Sequence, residues 1–255
     1  MIQVAIIGAG FIGPAHLEAL RRLGDVEVVA LCDSRLEAAQ RKARALNIAH
    51  AYDSVEALLA HPGLQVVHNC TPNHLHAQIN RQILAAGLHV FSEKPLCMTA
   101  EEARELVALA ARAGVVHGVS FVYRQFAMVQ QAAAMIRHGE VGRIFAAHGS
   151  YLQDWMLLET DYNWRVDSAQ GGASRTVADI GSHWCDTVQF MTGRRIVEVM
   201  ADLSIVWPTR KAPVNGKATF SAVHEAQAYE TRPVDTEDFG SVLLRFDDGS
   251  KGSFM

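Results

Sequence analysis

Ile6-Ile7-Gly8-Ala9-Gly10-Phe11-Ile12-Gly13 closes the first apolar run of the chain. Its three glycines have G-x-G-x-x-G spacing. In that spacing Gly8 allows a tight turn and Gly10 lets a pyrophosphate approach the backbone, with Phe11 and Ile12 beside it. Gly13 lets the next helix pack closely on the strand. Pro14 suits the first turn of that helix, which the pattern extends to Leu23. Its N-terminal N–H groups and partial positive charge suit phosphate. The glycines alone are weak evidence, because glycine punctuates many turns. Their surroundings strengthen the reading. The apolar run Gln3–Ile7 precedes them, a helical pattern follows, and Asp33 ends the next apolar run, Val26–Cys32. An acid at that place accepts hydrogen bonds from ribose hydroxyls. Asp33 favours NAD, because a 2′-phosphate would face its charge. Ser34 and Arg35 leave NADP possible, since an arginine there binds such a phosphate. The structural alternative is that Asp33 only caps the helix beginning near Arg35.

Outward from this unit the alternation continues. Arg35–Leu46 reads as helix, Val66–Cys70 as strand, about His74 to Ala86 as helix and His89–Ser92 as strand. Thr99–Ala113 reads as helix with a Thr99/Glu102 capping box, and Val115–Val122 as a last strand. Strands alternating with helices predict a parallel sheet covered on both faces. The runs are apolar on both faces, as buried parallel strands are. Beyond residue 123 the texture changes. A helix from Phe126 to Arg137 stops at His138-Gly139. Longer β-like runs follow at Ile144–Leu152, Ile196–Val206 and Ser241–Phe246, with one helical stretch, Thr176–Met191. Residues 208–236 are polar and aperiodic and read as a long excursion. Asp248-Gly249 predicts a two-residue hairpin turn before a strand from Lys251. The sequence predicts a dinucleotide-binding Rossmann domain over 1–122 and an α+β domain over 123–255. The sequence stops at Met255 within a predicted strand, so the second domain is expected to be cut short.

The bulk composition agrees with an ordinary globular protein: 49% of residues are apolar, 20% are charged, and the net charge is −4. That balance gives no sign of a nucleic-acid or membrane partner, and no apolar run reaches the length of a membrane span. The N-terminus lacks a basic leader and does not read as a signal peptide. Cys32, Cys70, Cys97 and Cys185 are scattered, with no CxxC pair. They read as reduced thiols of a cytoplasmic protein, and no metal site is expected.

Three further stretches carry a resemblance: Val-Val-His-Asn-Cys-Thr-Pro-Asn-His-Leu-His over 66–76, Val-Phe-Ser-Glu-Lys-Pro-Leu over 90–96, and Gly-Gly-Ala-Ser-Arg-Thr-Val-Ala-Asp-Ile-Gly-Ser-His-Trp-Cys-Asp over 171–186. With the opening fingerprint these resemble the glucose–fructose oxidoreductase / inositol dehydrogenase / MocA (Gfo/Idh/MocA) family. The resemblance covers the whole chain. It implies the Rossmann domain followed by an α+β domain with an open, mostly antiparallel sheet. It implies that Glu93 lies beside the cofactor, that Lys94 points at the reacting oxygen and that the Lys94–Pro95 peptide is cis. Thr71, Pro72, Asn73 and His76 match its nucleotide-contact loop. Ser120 stands where the family often has an asparagine that reaches the cofactor. Trp164-Arg165 matches a pair that folds over the dinucleotide in several members.

Asp179 and His183 are four residues apart, so on an α-helix they would share a face. By themselves they read as a capping acid and a core histidine. The family's Asp-x-Gly-x-His pattern makes them catalytic candidates with Lys94. The implied reaction interconverts a secondary alcohol and a ketone. His183 is the candidate base, Asp179 orients the hydroxyl, and Lys94 stabilises charge on oxygen. The family does not decide between Lys94 and His183 as the proton carrier. Sugars, cyclitols and related polyols are the implied substrates. Tyr123, Arg124 and Trp155, with Gln153, Asp154, Asp161 and Tyr162, supply polar and aromatic groups for such ligands. Two alternatives stay open: an NAD-dependent glycoside hydrolase of the same family, and a non-catalytic dinucleotide-binding sensor. Relatives are often homodimers or homotetramers.

Overall fold

A computed structural model describes residues 1–214 and 228–255. The chain divides into two compact units, Met1–Ser120 and Phe121–Met255.

The first unit is built on six parallel strands: β1 (Ile2–Ile7), β2 (Val26–Cys32), β3 (His50–Tyr52), β4 (Val66–Asn69), β5 (His89–Ser92) and β6 (His117–Val119). Their spatial order is β3-β2-β1-β4-β5-β6. Helices α1 (Gly13–Arg21), α2 (Leu36–Ala45), α3 (Val55–Leu59), α4 (Asn73–Ala85) and α5 (Ala100–Ala113) make the crossovers. Side chains alternate across β1. Ala5 and Ile7 join a core with Leu58, Ile83 and Leu106, while Val4 and Ile6 join another with Leu17 and Leu20. Burial on both faces explains why these runs lack polar alternation. The ladder aligns the strand ends: Ile7 pairs with Cys32 and Asn69, Asn69 with Ser92, and Ser92 with Val119. The residues that follow, Asp33, Gly8, Cys70, Glu93 and Ser120, therefore form one row along the carboxyl edge. The strand order reverses between β1 and β4, and open α/β sheets bind ligands outside that point.

Strand β3 and helix α3 escaped the sequence reading. Three and five residues are too few for a periodic signal. α3 is nonetheless capped, with Ser54 Oγ accepting from the Ala57 N–H at 3.1 Å. β6 is shorter than the run Val115–Val122, because the chain enters a 3₁₀ turn at Val122–Gln125. The Thr99 cap is present: its Oγ1 accepts from the Glu102 N–H at 3.2 Å. Glu102 returns its bond to the Met98 N–H at 3.2 Å.

The second unit contains α6 (Ala127–Arg137), β7 (Ala146–Gly149), α7 (Ser168–Gly171), α8 (Ser182–Thr192), β8 (Ile196–Ser204), β9 (Thr209–Pro213), β10 (Tyr229–Pro233), β11 (Phe239–Phe246) and β12 (Lys251–Phe254). Its main sheet has the order β7-β12-β11-β8. β11 runs antiparallel to β8 and β12, while β12 runs parallel to β7, so the sheet is mixed. α8 packs on this sheet, with Trp184 stacked on Phe254 at 4.7 Å between centroids. Gly149 makes room for it: a Cβ there would lie 2.6 Å from Trp184 Nε1.

Three expectations are corrected. The run Ile144–Leu152 pairs only over Ala146–Gly149. The Asp248-Gly249 turn is a three-residue loop, Asp247 to Gly249, closed by the Phe246 N–H donating to Ser250 O at 3.0 Å. Gly249 takes the left-handed position at φ 85°, as three-residue hairpins require. The 208–236 excursion pairs its ends as an antiparallel ribbon, β9 with β10; residues 215–227 lie outside the described residues. All four cysteines are free thiols. Among the described residues no helix is long and apolar enough to cross a membrane.

Candidate active site

The glycine turn is built for close approach. A Cβ on Gly8 would meet Cys70 O at 2.5 Å, and one on Gly13 would meet Gly8 O at 2.4 Å. Both glycines are thus consumed by packing of β1, α1 and the β4 end. Gly10 differs: a Cβ there would meet nothing within 4 Å. It leaves an exposed cradle before α1, whose N-cap residue Ile12 supplies no side-chain cap. Phe11 is 64% exposed beside it. Asp33 faces the same turn. Its Oδ2 accepts from the Ala9 N–H at 3.3 Å and its Oδ1 from the Ser34 N–H at 2.7 Å. A pyrophosphate at Gly10 and a ribose at Asp33 fit this row, so the residues present suit a dinucleotide.

Further along the edge, Glu93 is a hub. Its Oε1 accepts from His16 Nε2 at 3.0 Å, and its Oε2 accepts from the Lys94 N–H at 3.2 Å. The Ser120 side chain also hydrogen-bonds to it. Burial opposes its charge, but these hydrogen bonds prevail and hold the carboxyl below its usual range. His16 Nδ1 lies 2.9 Å from His68 Nδ1. Burial, with His16 as a second cause, pushes His68 down to about 4. Lys94 follows Glu93 at the strand end, and the Lys94–Pro95 peptide is cis.

The loop after β4 is tied to this turn from below. His76 is buried, with Nδ1 2.6 Å from Pro95 O and Nε2 2.7 Å from Thr71 O. Burial pushes its pKa down, opposed by both carbonyls. His76 therefore links two loops, the one after β4 that the resemblance assigns to nucleotide contact and the one that holds Pro95. Thr71 Oγ1 donates to Asn69 Oδ1 at 2.7 Å, Asn69 Nδ2 to Asn80 Oδ1 at 2.8 Å, and Asn80 Nδ2 to Ser92 Oγ at 3.0 Å. This buried chain fixes the ends of β4 and β5 together. Pro72 holds the N-cap position of α4 with no side-chain cap, and Asn73 is the first residue of the helix. Ser120 is buried and directed to Glu93.

In the second unit, Asp179 lies in a π turn, Val177–Gly181, that runs into α8. The two catalytic candidates thus straddle a π–α junction instead of sharing one regular α-helix. π turns are rare and often mark functional places. Gly181 serves packing: a Cβ there would press on Phe254 and Val177 at 3.2 and 3.3 Å. His183 is buried. Tyr123 stacks on its ring at 4.3 Å and Phe121 meets it edge-on at 5.7 Å. Tyr123 in turn hydrogen-bonds Tyr151 through the two hydroxyls. Burial and that bond raise the Tyr123 pKa. Gln153 Nε2 donates to Tyr151 Oη at 3.0 Å, and Trp155 Nε1 donates to Gln153 Oε1 at 2.8 Å. A polar chain therefore joins Trp155 to the ring stacked on His183.

Trp155 and Asp179 line one cavity of about 240 Å³. The Arg165 guanidinium lies 3.6 Å from Asp179 Oδ1, and 4.5 and 5.9 Å from the ring centroids of Trp164 and Trp155. It thus stands among the second unit's own candidate residues. Arg124, a candidate substrate residue, is paired within its own unit. Its guanidinium makes a two-pronged pair with Asp186 of α8, with Nε 2.7 Å from Oδ2, and it overlies Phe190.

His16 and His68 were not singled out by the sequence, although His68 and Asn69 are the only polar residues in the run Val66–Cys70. Glu237, Asp238, Arg175 and Arg210 were missed as well. The acids lie about sixty residues from Arg175, and nothing in the sequence links them to it or to Arg210.

Residues 2–121 match the model of an oxidoreductase family with an NAD-binding Rossmann fold, GFO_IDH_MocA, and residues 129–255 match the same family's C-terminal domain. The chain belongs to the Gfo/Idh/MocA oxidoreductase family. It is 31% identical to levoglucosan dehydrogenase of Pseudarthrobacter phenanthrenivorans over 99% of this chain and 66% of that one. It is 34% identical to D-glucoside 3-dehydrogenase of Escherichia coli K12 over 75% of this chain and 54% of that one. A solved levoglucosan dehydrogenase in complex with NADH and L-sorbose superposes with a TM-score of 0.88 at 30% identity, over 100% of this chain and 66% of that one. The chain thus spans about two thirds or less of these relatives' lengths.

Proposed function

We propose that this chain is the NAD-binding and substrate-binding part of a dehydrogenase that interconverts a secondary alcohol and a ketone on a sugar, cyclitol or related polyol. The observation that carries this reading is the pairing of a carboxylate and an indole, Asp179 and Trp155, on one cavity wall. A polyol presents hydroxyls to the first and a C–H face to the second. The likeness to relatives named for sugar oxidation supports it, as does the dinucleotide cradle at Gly10.

Bound NAD supplies the hydride acceptor. The chain's residues supply the rest. Gly10 and the α1 N-terminus hold the pyrophosphate, and Asp33 the adenosine ribose. Lys94 hydrogen-bonds the reacting oxygen and stabilises its developing charge. His183 takes the hydroxyl proton, and Asp179 orients the hydroxyl. Acid–base help of this kind is worth about 10²–10⁴-fold. Trp164 and Arg165 belong to the substrate side in this reading, because Arg165 faces Asp179.

The test compares Asp179→Asn and His183→Ala with wild type. Turnover of a sugar should fall about 10²-fold or more while NADH affinity holds. Wild-type turnover in both variants would refute these roles.

A further inference from the structure

We propose that Glu237 and Asp238, which immediately precede β11, are positioning residues that lock the Asp179 segment and the 156–161 loop to the start of that strand. The inference rests on the dehydrogenase reading for its catalytic consequence, but not for its geometry.

Glu237 is 5% exposed. Its Oε1 accepts from Ser174 Oγ and from the Val177 N–H, each at 2.8 Å. Its Oε2 accepts from the Arg175 N–H at 3.0 Å. Its backbone carbonyl accepts from Thr176 Oγ1 at 3.0 Å and Arg175 Nε at 3.2 Å. The Val177 N–H, the first of the π turn, would otherwise lack a partner, because Thr176 supplies no side-chain cap; the next, of Ala178, donates to Ser174 Oγ at 3.2 Å, the hydroxyl that Glu237 itself holds. A carboxylate distant in sequence thus completes the local cap that Ser174 begins and adds its charge at the positive end of the helix. The same segment carries Asp179, whose N–H donates to Arg175 O at 2.8 Å.

Asp238 works on the other side. Its Oδ1 receives Arg175 at 2.5 Å and Arg210 at 2.6 Å. Its Oδ2 accepts from the Val206 and Trp207 N–H groups at 3.0 Å each. Arg210 is fully buried and spends its guanidinium on the carbonyls of Met156, Leu158 and Asp161. That loop carries on from Trp155. Two acids and two arginines therefore tie the Asp179 segment and the loop beside Trp155 to the same two residues. Arg175, Arg210 and Asp238 also form part of the wall of the cavity that holds Trp155 and Asp179. Small displacements of reacting groups are costly in rate, so such a clamp acts on turnover more than on cofactor affinity.

The experiment is amide hydrogen exchange and steady-state kinetics on Glu237→Gln and Asp238→Asn beside wild type. Glutamine keeps the size but sets an N–H₂ against a cluster of donors. Exchange over 174–181 should rise about 10-fold or more in Glu237→Gln, and over 156–161 and 206–207 in Asp238→Asn. The β11–β12 hairpin should stay protected. With an oxidisable sugar, kcat should fall about 10–100-fold with NADH affinity unchanged. Glu237→Asp should recover part of the loss. Wild-type exchange in both segments would overturn the proposal. So would loosening spread evenly over the whole unit, or an equal loss of NADH affinity. A wild type that oxidises no sugar counts against the dehydrogenase reading, and the exchange data then decide the clamp by themselves.

Discussion

His16 Nε2 and Glu93 Oε1 lie 3.0 Å apart although 77 residues separate them in sequence. The bond joins the helix after the glycine turn to the residue before Lys94. Glu93 is held below the usual carboxyl range. Its ionised form therefore adds stability above the unfolded-state pKa, and that stability is lost as pH falls through the folded value. His16→Leu removes one of the bonds that keep it low. The acid unfolding midpoint should move to higher pH, and stability at neutral pH should drop by about 1–3 kcal/mol. A variant with wild-type acid unfolding would show that Glu93 draws nothing from His16.

His68 gives a second acid-linked term. Its folded pKa of about 4 lies below the ordinary imidazole value of 6.5. The unfolded chain binds the proton first, so stability declines as pH falls from about 6.5 towards 4 and levels off below that. The full contribution is up to about 3 kcal/mol. His68→Phe should flatten this part of the stability profile. Chemical denaturation at a series of pH values reads it directly, and an unchanged slope would contradict the assignment.

Gly10 and Gly13 should separate binding from folding. Gly13→Ala places a Cβ against Gly8 O and should lower stability by several kcal/mol, on the order of other overpacked sites. Gly10→Ala meets no protein atom within 4 Å. It should melt like wild type but lose NADH affinity about 10-fold or more, because the methyl enters the space meant for pyrophosphate. Calorimetric titration with a parallel thermal melt distinguishes the two. Full NADH affinity in Gly10→Ala would remove the cradle from the account.

Arg124 and Trp155 should likewise part company. Arg124→Ala strands Asp186, which is 9% exposed, and should cost about 1–3 kcal/mol of stability with the Michaelis constant for a sugar little changed. Trp155→Ala should raise that Michaelis constant while the Arg124–Asp186 pair stays in place. The reverse pattern would place Arg124 in the substrate set.

The first unit was legible because its signals are local. Each glycine, Asp33 and Glu93-Lys94-Pro95 follows directly on an apolar strand, and a parallel sheet places all strand ends in one row. Thr99 and Pro14 marked helix starts by chemistry that acts within one turn. β3 and α3 were too short to register. The second unit hid more. Its sheet joins β7 to β12 across a hundred residues, and its supports are long-range. Glu237 caps a helix that begins sixty residues earlier. The pairing of Arg124 with Asp186 spans 62 residues and has no local signal. The π turn at Asp179 has no signature that separates it from an α-helix.

The most direct measurement is the appearance of reduced nicotinamide when the protein and NAD meet a panel of sugars and cyclitols, with Lys94→Ala run in parallel. The account predicts reduction with one group of polyols, and its loss in the variant while NADH still binds. No reduction with any polyol by a protein that binds NADH normally would contradict it.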